Sequence, residues 1–220
     1  MTEDHWLGWR DPREFLQSML YQLSTPDARV FTERRLRLFA VGCSRRVLHL
    51  CSNLLVSTAA QAVERFVDGR TNEDRQQLKP VRTAVFASEA WSRTPEGRLA
   101  RAVVGKGAWG AATETSWYAS YLTGGASVRA EEEREQQGLL LRDIVGNPFC
   151  PVTADPTWRT SDVLALATGT YGERAFDRMP ILADALQDAG CDNPEVLDHC
   201  RGPGPHVRGC HVLDLILGKS

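Results

Sequence analysis

Apolar residues in this chain recur at helical spacing from one end to the other, and nowhere do they alternate as a half-buried strand requires. The clearest instance opens at Thr32 and runs through Arg34 to Leu50. Leu36, Phe39, Ala40, Cys43, Val47 and Leu50 fall within about 100° of one another on a helix. Leu38, Val41 and Leu48 interrupt the opposite side, so the segment is expected to be central and mostly buried. The spacing therefore predicts an all-α protein, a multi-helix bundle built as an array of helical hairpins.

Start and stop signals place the other helices. Thr2 precedes a short helix with Trp6 and Trp9. Asp11-Pro12 opens one lined by Phe15, Leu16, Met19, Leu20 and Leu23, ended by a turn at Ser24-Thr25-Pro26-Asp27. Ser57 or Thr58 starts a helix that stops at Asp68-Gly69. Thr71-x-x-Asp74 reads as a capping box, and Pro80 must kink or break the helix it opens. Ala100 to Tyr121 reads as one alanine-rich helix weakened by Gly105, Gly107 and Gly110. Ser127 to Val145 reads as a long, charged, solvent-exposed helix. The Pro-rich stretch 147–157 is extended, with Phe149 and Trp158 as anchors, and Ser161 caps the next helix.

A chain of 220 residues fits one helical domain over 1–220, or a body over 1–146 with a C-terminal subdomain over 147–220. Hydrophobic residues at 42% and charged residues at 25% suit a soluble globular protein. A net charge of −2 provides no global pull toward nucleic acid or anionic membrane. No run approaches the roughly 18 apolar residues of a membrane span. The acidic start, MTEDHWLGWR, lacks the core of a signal peptide. A cytoplasmic location is expected, with the six cysteines as thiols.

Chemistry concentrates in the last fifth. Pro180, with Asp177 as a candidate cap, opens a helix lined by Ile181, Leu182, Ala185, Leu186 and Ala189 and closed by Gly190. Asp192 or Asn193 and Pro194 open the next, which leads into the turn Arg201-Gly202-Pro203-Gly204-Pro205-His206-Val207-Arg208-Gly209. Three readings compete. His199, Cys200, His206 and Cys210 could ligate zinc, with Asp198 as a supporting acceptor. The spacing is poor for two ligand pairs, however, and adjacent residues such as His199 and Cys200 diverge by about 100° on a helix. Arg201, His206 and Arg208 could instead hold an anion at a helix start, although no P-loop is present. The preferred reading is structural: the cysteines pack as small apolar residues, the turn joins two helices, and His206 caps a carbonyl. No cofactor is then required; zinc is the alternative.

Several phrases resemble an uncharacterised family of helical proteins expanded in planctomycete bacteria. They are WLGWRDPREFL, ERRLRLFAVGCSRRVLHL, LLRDIVGNPFCPV with DPTW after it, and AFDRMPILADALQDAGC leading into HCRGPGPHVRGC. The likeness covers both ends and leaves about Thr71 to Arg129 outside. It implies no activity, cofactor or catalytic residue. Where the family pattern expects a second tryptophan after RGC, this chain has His211.

No nucleophile elbow, phosphate loop, HExxH helix or Rossmann glycine pattern is present. The expected function is accordingly non-enzymatic: a helical interaction module, adaptor or regulator, whose partner is another protein. Metal or anion binding by the C-terminal turn is one alternative. Nucleic-acid binding by Arg34, Arg37 and Arg45 on the helix 32–50 is another, disfavoured because no aromatics interleave with them.

Overall fold

The computed structural model describes residues 2–20, 30–69 and 71–219. Every regular element among them is a helix, and no strand is present among the described residues. Local chemistry sets several of the boundaries. The side-chain oxygens of Thr32, Thr94, Thr160 and Asn193 accept the N–H three residues on, at Arg35, Gly97, Val163 and Val196. Thr71 and Asp74 form the reciprocal capping box. The predicted turn at Ser24 to Asp27, and Leu23 before it, lie outside the described residues.

The chain divides into two units, Gly8–Gly138 and Met1–Leu7 with Leu139–Ser220. The subdivision expected from sequence put the break at 146/147. The observed division falls instead inside the helix Val128–Val145.

In Gly8–Gly138 the helix Glu33–Arg46 is buried nearly all round, through Leu36, Leu38, Phe39, Ala40, Val41 and Cys43. It packs on Leu55–Asp68, Pro95–Val103 and Ala108–Leu122. The last of these buries small side chains, Ala111, Ala112, Thr115, Ser116, Ala119 and Ser120, which let two helix backbones approach closely.

Several boundaries differ from expectation. The long helix ends at Arg46, and Leu48–Leu50 is a separate 3-10 turn. The helix expected from Ser57 or Thr58 starts at Leu55, because Asn53 Oδ1 accepts the Leu55 N–H. Thr160, not Ser161, caps the helix Ser161–Glu173. Asp177 lies inside the 3-10 turn Phe176–Arg178, and the helix Met179–Asp188 has no side-chain cap. The alanine-rich segment is two helices, Pro95–Val103 and Ala108–Leu122. The break between them is held by Arg37, whose guanidinium donates to the Gly105 and Lys106 carbonyls at 3.0 and 2.7 Å. The helix Val128–Val145 is not simply a solvated one. Glu133 and Gln137 are buried, and the Gln137 carboxamide joins Ser116, Ser120 and Glu133.

In the other unit the helices Ser161–Glu173, Met179–Asp188, Pro194–Arg201 and His211–Leu217 enclose a core of Val163, Ala167, Met179, Leu182, Leu186, Val196, Val212, Leu213 and Ile216. Trp158 anchors the end of the Pro-rich stretch in it. No described helix is long and apolar enough to cross a membrane.

Candidate metal centre

Asp143 occupies the last turn of the helix Val128–Val145, on the same stripe as Leu140 and Ile144. A carboxylate there is doubly disfavoured. It is almost fully buried, and it sits near the negative end of the helix dipole. It therefore needs positive charge or donors, and the C-terminal turn brings them. His206 Nδ1 lies 3.0 Å from Asp143 Oδ1, and His199 Nε2 lies 3.2 Å from the same oxygen. The Val207 N–H donates to Oδ2 at 3.1 Å. His211 Nδ1 lies 3.0 Å from the Asp143 backbone carbonyl, in place to donate to it.

The fourth member is Cys210, whose sulfur is 3.1 Å from His199 Nε2. One donor atom from each of Asp143, His199, His206 and Cys210 lies within 4.8 Å of the other three. A single ring nitrogen, His199 Nε2, thus faces a carboxylate oxygen and a sulfur together. One N–H cannot point at both, whereas one cation between them would satisfy both. Bonds of 2.0–2.3 Å to a tetrahedral ion give ligand-to-ligand edges of about 3.3–3.6 Å. The closest pairs lie a few tenths of an ångström inside that range, so a small outward shift admits an ion.

The surroundings orient these groups as metal ligands are usually oriented. His206 Nε2 faces the Gly202 carbonyl at 3.4 Å, which favours a proton on Nε2 and directs Nδ1 inward. Cys210 is the N-cap residue of His211–Leu217, where the N–H groups of Val212 and Leu213 favour its thiolate, although its side chain makes no capping hydrogen bond. Two glycines make the geometry possible. Gly146, at φ +74°, ends the helix just past Asp143, and a Cβ there would meet the His211 ring at 2.9 Å. Gly204, at φ +86°, turns the loop so tightly that a Cβ would lie 2.8 Å from the His206 backbone nitrogen.

Titration behaviour reflects the pairing. Burial pushes the Asp143 carboxyl up, but hydrogen bonds from His199 and His206, with their charge, bring it below its ordinary value. Burial works against a charged His206, yet the Asp143 carboxylate and the Gly202 carbonyl raise its pKa overall. The Cys210 thiol is pushed well above the usual range, first by burial and then by the Asp143 charge.

Of the ligand set predicted from sequence, the structure brings together His199, His206 and Cys210 but not Cys200. The reason is helical rotation: on Pro194–Arg201, His199 faces the cluster and Cys200 turns into the apolar core. Burial, with the Cys191 and Asp143 charges behind it, pushes the Cys200 thiol up to about 12, so it packs as a small apolar group. Asp198 is exposed, and Gly202 and Val207 fill the supporting role predicted for it. Sequence reading missed Asp143. The signal that could have found it is a carboxylate on the apolar stripe of Leu140 and Ile144.

The predicted anion set does not converge. Arg201 is exposed and bonds Asp184 and Gln187. Arg208 donates to the Tyr171 and Gly172 carbonyls near the end of Ser161–Glu173, where a cation suits the helix dipole. His206 belongs to the Asp143 cluster. The arginines considered for nucleic acid are engaged within the protein: Arg34 with Asp68, Arg45 with Glu64, and Arg37 with Glu33 and the Gly105 and Lys106 carbonyls.

No family model, curated protein or solved structure matches this chain.

Proposed function

We propose that the unit containing Leu139–Ser220 is a metal-binding module, with zinc the ion its donors fit best. The observation that carries this reading is the convergence of Asp143 Oδ1, His199 Nε2, His206 Nδ1 and Cys210 Sγ around one buried point. Two imidazoles, a thiolate and a carboxylate are a borderline-soft set that suits zinc, rather than the all-oxygen shell of calcium or magnesium. The ion's role on this reading is to fasten the last turn of Val128–Val145 to the C-terminal hairpin and to neutralise a buried carboxylate. Elemental analysis of untagged protein tests it: about one equivalent of zinc is expected for four-ligand binding. Asp143→Asn and His206→Gln should each lose most of it. Metal-free protein that takes up no zinc on titration would refute the reading.

A second reading is supported by an exposed aromatic pair in Gly8–Gly138. Trp117 and Tyr121 are about half exposed, one helical turn apart, with ring centroids 6.5 Å apart. Exposed aromatics backed by an arginine, here Arg13 over Trp117, are typical anchors for a protein partner. Loss of native-lysate partners on Trp117→Ala with Tyr121→Ala, at unchanged helicity, is the expected result; unchanged capture would count against it.

A further inference from the structure

Resting on the metal reading, we propose that the bound ion keeps a coordination position for a small carboxylate, entering through the recess beneath the Gly202–Pro205 turn. The four donors are not equally enclosed. Cys210 is fully buried against the apolar core and has no part in the recess. Asp143, His199 and His206 all line it, with Leu139, Arg142 and Gly202 to Pro205. The thiolate thus forms the inner side of the site and the oxygen and nitrogen donors its outer side. His199 also lines a second recess, with Trp6, Glu195 and His211, so its ring is approached from two directions.

Size and charge define the ligand. The recess encloses about 200 Å³. That is room for roughly half a dozen waters at about 30 Å³ each, or one small organic acid. A zinc ion with one carboxylate, one thiolate and two neutral imidazoles carries no net charge. Arg142 lines this recess and adds a positive charge to it, whereas the acids Glu195 and Asp198 line the second recess. Among the side chains that line the recess under the turn the balance therefore favours an anion, and a charge held partly out of water acts on it more strongly. Zinc has no geometric preference from its d-electrons and expands from four ligands to five, so Asp143 need not leave.

Cobalt-substituted full-length protein decides the matter, with acetate as the probe. A thiolate-to-cobalt charge-transfer band reports the underlying metal site; its absence would sink both readings. With that band present, acetate is expected to lower and shift the visible d–d absorption saturably, as a fifth ligand enters. Arg142→Gln should weaken this response about tenfold, leaving the charge-transfer band in place. Leu139→Trp should block it by filling the recess, again with cobalt retained, so the test survives a poorly folding Arg142 variant. A cobalt protein whose d–d bands ignore acetate, in wild type and variants alike, overturns the open position and leaves the metal site standing.

Discussion

Asp143 and Cys200 show how a single residue decides between ligation and packing. Both are buried, but only Asp143 presents an atom to the imidazoles. Cys200→Ala should therefore leave the zinc equivalents unchanged and cost about 1 kcal/mol in urea unfolding, the scale of one buried small group lost from a core. Zinc loss in Cys200→Ala would return that thiol to the ligand set. The other thiols report their surroundings in the same way. Burial first, then the Glu96 charge, pushes the Cys51 thiol up to about 11. At mildly alkaline pH it is almost wholly protonated, and only thiolate reacts. Alkylation of metal-loaded protein should accordingly label exposed Cys150 first and Cys51 far more slowly. Peptide mapping over time checks the order, and Cys51 should accelerate as pH rises toward its pKa.

At the level of the element, helices were readable because their signals are local: caps at Thr32, Thr71 and Thr94, and apolar spacing on either side. Polar groups on inward faces were not. Glu133 and Gln137 look like solvated residues in the sequence, yet Glu133 pairs with Arg46 at 2.9 Å and Gln137 bridges to Ser116 and Ser120. Asp143 was hidden for the same reason: periodicity ranks residues by apolarity and cannot say that a distant histidine will satisfy a buried acid. His199, His206 and Cys210 were legible in the tail because ligand residue types are rare and clustered there. The carboxylate that joins them lies 63 residues before His206, beyond any spacing rule. Gly146 joins the two kinds of information. A side chain there suffers the left-handed backbone, at about 1–2 kcal/mol, and collides with His211 as well. Gly146→Ala should lower the thermal midpoint by several degrees and weaken zinc affinity, while Gly8→Ala, where a Cβ meets nothing, should do neither.

For the molecule as a whole, the centre couples stability to pH in opposite directions with and without the ion. Without metal, Asp143 has a depressed pKa, so its contribution is present above 3.8 and is lost as pH falls through the lowered value. His206 has a raised pKa, so its contribution is complete below 6.5 and is lost as pH rises through the raised value. The metal-free protein should thus be held best between those two limits, as a carboxylate–imidazolium network. With metal, the ion replaces the imidazole and thiol protons, and binding strengthens as pH rises because fewer protons compete. Occupancy at a hundred times Kd adds about 2.7 kcal/mol. Thermal unfolding with and without a chelator, across mildly acidic to alkaline pH, should therefore give two midpoints that nearly coincide at low pH and separate steadily above about 6.5. In Asp143→Asn the carboxylate is gone, and the separation should collapse at every pH. Parallel curves, or a gap that narrows as pH rises, would mean that these four side chains hold protons and never an ion.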